Sequence, residues 1–251
     1  MRIGGILDVS TKDIPNKCCM VIFTVGCNLN CSFCHNKYLL DPKMGKNWDI
    51  NEIIKFVKSN FLVDSISITG GEPTLQKDLL ELCKEIQEVG KYINIDTNGT
   101  KPHIIKTLFP YVNRISLDLK ATLNKKRYSE ITNTSIDPKL IIETFNLINN
   151  NLNLDFEIRT TYVENLMIPN DIHKILNFLE HNQFRGQFVL QQYQYSDGVG
   201  EKYKEIYNIP EHMTLLNILK KYKNKNLSFE IFVRDKVVGY KLINEIRNFL
   251  D

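Results

Sequence analysis

The chain has 251 residues, of which 43% are hydrophobic and 24% are charged, a composition typical of a globular protein. The 32 basic and 29 acidic residues are interspersed and leave a net charge of +3, so charge alone does not indicate a nucleic-acid or membrane partner. We see no apolar signal segment and no run of about 18 apolar residues. We therefore expect a cytoplasmic protein whose six cysteines are thiols or metal ligands.

Short runs rich in Ile, Val, Phe and Tyr alternate with helical patterns along the chain. Strands are predicted at Met20–Gly26, Ser65–Thr69, Tyr92–Thr97, Val112–Leu119, Leu154–Val163 and Phe188–Tyr193, with a further run at Ser228–Val233. Helices are predicted around 49–61, 75–90, 101–109, 172–179 and 213–219, and one begins at Asp137. This alternation implies parallel βα units. Six units are too few for a closed eight-stranded barrel, whereas a partial barrel or an open parallel sheet fits.

Three cysteines follow the first predicted strand: Cys27, Cys31 and Cys34, spaced C-x3-C-x2-C. Thiolates this close together can wrap a soft metal centre. A [4Fe–4S] cluster held by three cysteines keeps one iron open for an outside ligand, whereas a structural zinc site needs a fourth protein ligand. His35 could complete a zinc site, but its adjacency to Cys34 makes chelation of one ion awkward. Spacing alone favours the cluster, with zinc and a metal-free loop as alternatives.

The second and third strands end in motifs that suit ligand binding. Gly70 and Gly71 would let the backbone approach a ligand, and Glu72 could accept a hydrogen bond from an ammonium group. Alternatively, the glycine pair only makes the turn. The Asp96–Gly99 segment contains Asn-Gly, which is also a common turn signal.

Later strands carry charged residues at positions where parallel α/β folds place their chemistry. Asp118 and Lys120 lie at the end of the fourth strand, where the alternative is a solvated charge pair. Arg159 lies within the fifth strand, where a cation is costly unless it is paired. Cys83 falls at a core-facing helical position and is interpreted as packing.

The cysteine spacing, with Phe33 before the last cysteine, resembles the signature of the radical S-adenosylmethionine superfamily. The resemblance implies one [4Fe–4S] cluster on Cys27, Cys31 and Cys34, with S-adenosylmethionine on the open iron. It covers about residues 4–195. It implies a partial (β/α)6 TIM-like barrel in a single domain over residues 1–251, with a short C-terminal extension from about 196.

The motifs resemble most closely the activating enzymes of glycyl radical proteins, in particular activators of anaerobic ribonucleotide reductase. The implied reaction abstracts a glycine hydrogen in a partner protein, with 5′-deoxyadenosine and methionine as products. The implied partners are a glycyl radical enzyme and an electron donor such as flavodoxin or ferredoxin. No side chain is expected to be catalytic beyond the cluster and cofactor. The alternatives are radical modification of a small molecule or RNA, and a non-catalytic zinc-binding module.

The resemblance also implies a set of cofactor-binding residues, and in some relatives a monovalent cation accompanies them. In this sequence the set is Phe33, Cys34, His35, Gly70, Gly71, Glu72, Asp96, Thr97, Asp118, Leu119, Lys120 and Arg159. Some relatives have a ribose-contacting histidine near Gln194, which this sequence lacks.

Overall fold

The computed structural model describes residues 1–196 and 199–246. Its strands are β1 (Arg2–Ser10), β2 (Cys19–Thr24), β3 (Lys46–Asn47), β4 (Ser65–Gly70), β5 (Tyr92–Thr97), β6 (Arg114–Asp118), β7 (Asp155–Tyr162), β8 (Gln187–Gln192), β9 (Glu230–Asp235) and β10 (Gly239–Leu242). Its α-helices are α1 (Ile50–Ser59), α2 (Leu79–Glu88), α3 (Pro102–Leu108), α4 (Lys125–Thr132), α5 (Pro138–Asn149), α6 (Pro169–His181), α7 (Glu201–Ile206) and α8 (His212–Leu219). Residues 197–198 and 247–251 of the expected C-terminal extension lie outside the described residues.

The chain divides into two compact units. The first comprises Met1–Asn28, Asn36–Leu117 and Leu140–Asp155. The second comprises Leu29–His35, Asp118–Lys139 and the described residues from Phe156 onward. The expected single domain with an extension from about 196 stays a prediction.

The strands of the first unit lie in the order β6-β5-β4-β2-β1-β3. Strands β2, β4, β5 and β6 are mutually parallel, as the βα alternation predicts. Strands β1 and β3 were not predicted, and each pairs antiparallel with its neighbour.

The strands of the second unit lie in the order β7-β8-β9-β10. Strands β7, β8 and β9 are parallel, so the predicted late run becomes a parallel strand. Strand β10 returns antiparallel beside β9, after a turn that ends at Gly239, whose φ is 70°. In the described residues neither run of strands closes on itself. The predicted α/β class with mostly parallel, unclosed strands is confirmed.

Local sequence explains the first unit well. Helix α1 begins at a capping box in which Asp49 accepts from the Asn51 N–H at 2.8 Å and Glu52 accepts from the Asp49 N–H at 3.1 Å. The same helix buries Ile53 and Val57 completely. Each such core residue contributes on the order of 2 kcal/mol by leaving water.

Strand β5 shows how the sheet presents polar groups. Ile93 and Ile95 point to one face and are fully buried, while Asn94 and Asp96 point to the other. The alternation thus gives β5 an apolar face and a polar face in the same six residues. No helix of the described residues is both long and apolar enough to cross a membrane.

Candidate metal and cofactor site

None of the three motif cysteines is in a disulfide. Cys27 follows β2 in the first unit, whereas Cys31 and Cys34 belong to the Leu29–His35 segment of the second. Cys31 is buried, and the Cys34 N–H donates to the Cys31 carbonyl at 3.3 Å, which tightens the loop into a turn. Across residues 1–196 and 199–246, no three His, Cys, Asp or Glu side chains are grouped to hold a metal ion. The ligand set therefore stays a prediction from spacing.

Two other cysteines have the properties of packing residues. Burial raises the pKa of Cys83 to about 12. Burial, reinforced by the charge of Asp13, raises the pKa of Cys19 to about 12 as well. Both side chains therefore remain protonated thiols at neutral pH, and a thiol is a poor metal ligand.

Glu72 is the most completely enclosed acid among the predicted residues, with 1% of its surface exposed. Its Oε1 accepts from the Thr74 N–H at 3.1 Å, the Thr74 hydroxyl at 2.6 Å and the Thr97 hydroxyl at 2.8 Å. Its Oε2 accepts from the Asn98 N–H at 2.7 Å. Burial raises the pKa of Glu72, and these donors oppose the rise. A cation beside Oε2 would favour the ionised form further.

Backbone packing requires glycine at positions 70 and 71, independently of any ligand. Gly70 has a φ of 114°, and a Cβ on it would lie 2.3 Å from the backbone of Thr24. A Cβ on Gly71 would lie 2.1 Å from the carbonyl oxygen of Gly26. The Gly71 and Glu72 N–H groups donate to the Thr24 and Gly26 carbonyls at 2.9 and 2.8 Å. The glycine pair thus packs the turn against the end of β2, immediately before Cys27.

Asn98 is a residue that the sequence analysis did not single out. Its side-chain Oδ1 accepts from the Thr100 N–H at 3.0 Å and the Thr100 hydroxyl at 2.7 Å, which fixes the orientation of the amide. The Nδ2 group consequently faces Asn28 Oδ1 at 2.9 Å and the sulfur of Cys27 at 3.9 Å. Within the first unit, Asn98 therefore links Glu72 to the first motif cysteine. The Asp-Thr-Asn-Gly turn was the only sequence signal for it.

Asp96 receives support from the polar face of the sheet. Its Oδ1 accepts from Asn94 Nδ2 at 2.8 Å. The same Nδ2 group lies 3.0 Å from the Ser67 hydroxyl, and Ser116 donates to Asn94 Oδ1 at 3.0 Å. This buried ladder holds one oxygen of Asp96 in a fixed position.

In the second unit, Asp118, Lys120 and Arg159 form one charged group. Asp118 Oδ2 lies 3.0 Å from Lys120 Nζ, and its Oδ1 lies 3.3 Å from Arg159 Nε. Arg159 Nε also lies 3.6 Å from Glu157 Oε1, and the Glu157 side chain is only 2% exposed. Burial alone would raise the pKa of Asp118, but the charges of Lys120 and Arg159 outweigh it and lower the pKa. Glu157 was not predicted, because its role depends on the register of β7.

Lys120 connects this charged group to the cysteine loop. Burial would lower its pKa, but Asp118 and then Cys31 act in the opposite direction, and the net pKa is raised. Leu119, which lies between Asp118 and Lys120 in the chain, donates its N–H to the Arg159 carbonyl at 2.9 Å. The Leu119 carbonyl accepts from the Thr160 hydroxyl at 2.7 Å. Lys120 therefore joins the charged group of Asp118 to the loop that carries Cys31.

The remaining predicted residues lie on or near the loop of the second unit. Phe33 is buried, while His35 is exposed and its ring centroid lies 5.9 Å from that of Tyr193. Gln194 donates to Gln192 Oε1 at 3.1 Å.

Comparison with known proteins identifies the family. Residues 21–180, more than half of the chain, match the model of the Radical SAM superfamily. The chain belongs to this superfamily. Membership implies a [4Fe–4S] cluster and S-adenosylmethionine.

Two relatives from Methanocaldococcus jannaschii carry the provisional name of glycyl-radical enzyme activating enzyme. One is 34% identical over 212 residues, covering 81% of this chain and 85% of its own length. The other is 32% identical over 183 residues, covering 71% of this chain and 68% of its own length. A protein of Pyrococcus horikoshii provisionally named GTP 3′,8-cyclase is 30% identical over 123 residues. The match covers 48% of this chain and 39% of that protein.

Solved structures share the fold. Streptococcus suis SuiB bound to S-adenosylmethionine superposes with a TM-score of 0.67 at 21% identity, over 86% of this chain and 50% of its own length. This chain thus spans about half the length of SuiB. A domain of pyruvate-formate lyase-activating enzyme from Bacteroides vulgatus superposes with a TM-score of 0.52 at 15% identity, over 66% and 98%.

The donor chemistry present in this chain fits a cluster. The motif supplies three cysteines outside disulfides, and soft thiolates are the usual ligands of iron–sulfur clusters. The Asn98 amide faces the sulfur of Cys27, and the positive charge of Lys120 acts on Cys31. Hydrogen bonds and positive charge at the sulfur atoms stabilise ligating thiolates.

Proposed function

We propose that this chain activates a glycyl radical enzyme. The observation that carries the proposal is the first unit's arrangement, in which Asn98 links the buried Glu72 carboxylate to the sulfur of Cys27. That arrangement supports cofactor binding beside the predicted cluster. The names of the two relatives from Methanocaldococcus jannaschii support the choice of a glycyl radical enzyme as the protein substrate.

The chain's own residues would hold the cofactor by charge. Glu72 offers an oxygen to the methionine ammonium group, since the Asn98 N–H is the one donor described at its Oε2. Lys120 and Arg159 offer positive charge to the methionine carboxylate of S-adenosylmethionine. Phe33, His35, Thr97 and Leu119 are proposed as further contacts. Asp96 and Asp118 are proposed contacts for the cofactor and for a monovalent cation, because carboxylates suit hard cations.

Bound S-adenosylmethionine would supply a 5′-deoxyadenosyl radical after accepting one electron, and this radical would take the glycine hydrogen. A flavodoxin or ferredoxin is the proposed electron donor. The protein's part is to bind, orient and shield the reacting groups. A peptide-bound structure of SuiB shows that a protein of this fold can take a peptide.

The test begins with anaerobic reconstitution of the full chain with iron and sulfide. We expect about four irons per chain, and loss of the cluster in Cys27→Ala, Cys31→Ala and Cys34→Ala. Cys18→Ala, which changes a half-buried cysteine outside the motif, is the matched control. A colourless protein that retains only zinc would support the zinc-binding module and overturn the proposed enzymatic function.

The second step distinguishes substrates. Reduced protein with S-adenosylmethionine and a candidate glycyl radical protein should give 5′-deoxyadenosine and an organic radical signal in paramagnetic resonance. The partial match to a protein named as a GTP cyclase favours a small molecule as the second candidate. Cofactor cleavage that is stimulated by a small molecule or RNA, and by no glycyl radical protein, would replace the proposed substrate.

A further inference from the structure

Two residues that follow β8, Ser196 and Tyr207, contact the cysteine loop within the second unit. The hydroxyl of Tyr207 lies 2.7 Å from the hydroxyl of Ser32, which lies between Cys31 and Cys34. Both residues of this pair are buried, with 7% and 8% of their surfaces exposed. The Ser196 hydroxyl also donates to the His35 carbonyl at 3.3 Å. The loop is therefore held by polar contacts from described residues that follow β8.

Tyr207 is itself held from several sides. The Tyr195 hydroxyl donates to the Tyr207 carbonyl at 2.8 Å and lies 2.9 Å from the Lys204 carbonyl. The Tyr203 ring stacks on the Tyr207 ring at 5.8 Å with an interplanar angle of 6°. The fully buried Tyr193 ring lies edge-on to Tyr207 at 6.4 Å. A side chain fixed in this way can hold its partner in one position.

We propose that Tyr207 is a positioning residue for the cysteine loop. Through Ser32 it holds the turn that carries Cys31 and Cys34, and its ring keeps water from that side of the loop. Cys31, which has 5% of its surface exposed, is the ligand that this cover protects. The role of Tyr207 in protecting a cluster ligand rests on the proposed function. The loop contact itself can be tested in the cluster-free protein.

The experiment measures alkylation of individual cysteines in the full-length apoprotein by mass spectrometry. Tyr207→Phe removes the hydroxyl and leaves Ser32 buried without that partner. Breaking such a pair changes an opening equilibrium by roughly tenfold, so we expect about tenfold faster labelling of Cys31. Ser32→Ala should give a similar increase. The double variant should add little, because both changes remove one interaction.

Two controls separate loop opening from general unfolding. Cys83, fully buried in the first unit, should label at an unchanged rate. Tyr203→Phe keeps the stack on Tyr207, and no hydrogen bond of its hydroxyl is described. An unchanged Cys31 rate in Tyr207→Phe overturns the proposal, as does an equal increase at Cys83 or in Tyr203→Phe.

The reconstituted protein gives an independent measurement. Tyr207→Phe should take up as much iron as wild type but lose it to a ferrous chelator about tenfold faster. Equal rates of loss would contradict the proposed role in retaining the cluster. A wild-type chain that takes up no cluster contradicts the proposed function instead, and the labelling rates still decide whether Tyr207 holds the loop.

Discussion

The backbone N–H of Asn98 donates a 2.7 Å hydrogen bond to the buried carboxylate of Glu72. Because the donor belongs to the backbone, the bond depends on the shape of the turn rather than on the side chain. The Gly99 N–H donates to the Thr97 hydroxyl at 3.1 Å, and Gly99 has a φ of 78°. This turn leaves the Asn98 side chain free to face Cys27. One short segment thus fixes an acid and a sulfur atom together.

Asn98→Asp tests the contact with sulfur. The change keeps the oxygen that accepts from Thr100 but removes the N–H that faces Cys27, and it adds negative charge. Both effects disfavour the reduced cluster, so we expect a more negative reduction potential in a spectroelectrochemical titration. Asn146→Asp, on the exposed face of α5, is the control. An unchanged or more positive potential in Asn98→Asp would contradict the assignment.

Cofactor affinity should depend on pH through Glu72. Its pKa is raised, so it binds a proton at a higher pH than an exposed glutamate does. An ammonium ligand needs the ionised form, and affinity should fall up to about tenfold per pH unit below that raised pKa. Equilibrium binding of S-adenosylmethionine from about pH 8 to about pH 5 measures this.

In Glu72→Gln we expect weaker binding that no longer follows this pH dependence. Glu143→Gln, at an exposed position on α5, should behave as wild type. A pH profile shared by wild type and Glu72→Gln would show that another group controls the affinity.

Asp118→Asn should destabilise the fold, because Lys120 and Arg159 would lose the anion that they share. The Asp118 side chain is 35% exposed, so we expect a loss of only about 1–2 kcal/mol in the free energy of unfolding at neutral pH. Its pKa is lowered in the folded state, so this contribution exists above the unfolded pKa. It is lost as pH falls through the folded value.

Urea titrations at neutral and acidic pH should therefore show a difference from wild type that shrinks on acidification. Glu201→Gln breaks the pair with Lys204 at a side chain that is 85% exposed and should cost less than about 1 kcal/mol. A difference that grows toward acidic pH would contradict the role of Asp118.

Periodicity predicted the parallel strands and α1, because their buried side chains recur at the spacing that each structure requires. Strand β1 was not predicted, because its Gly4 and Gly5 have low strand propensity. Its place beside β2 is determined by tertiary pairing. Strand β10, which begins at Gly239, was missed for a similar reason, although the run that forms β9 was predicted.

Some residues of the candidate site could likewise be predicted from the sequence, and others could not. The cysteines and Glu72 lie in recognisable motifs and could be named from the sequence. Asn98 and Glu157 act through turn geometry and strand register, which place a side chain beside a partner far away in the chain. Single-residue patterns carry no information about such contacts.

Gly71→Ala tests whether the Gly-Gly turn is needed for packing. The added Cβ would lie 2.1 Å from the Gly26 carbonyl oxygen. The oxygen is a backbone atom and the Cβ is bonded directly to the backbone, so neither can move away freely. We expect a loss of about 1–3 kcal/mol in the free energy of unfolding. Gly5→Ala is the matched control, since a Cβ there meets nothing within 4 Å. Equal stability of the two variants would mean that the turn can relax.

Tyr128→Phe should leave stability unchanged or increase it. Tyr128 lies in α4 with none of its surface exposed. The backbone of Lys120 lies near its hydroxyl, but within the described residues the hydroxyl makes no hydrogen bond of ordinary geometry. A buried hydroxyl without a partner costs about 1–3 kcal/mol, and phenylalanine keeps the ring packing without that cost. Thermal and urea unfolding of the apoprotein measure the effect. Tyr222→Phe, which removes a hydroxyl lying 3.4 Å from His173 Nδ1, serves as the comparison and should be neutral or slightly destabilising. A loss of more than about 1 kcal/mol in Tyr128→Phe would show that the hydroxyl is bonded in solution.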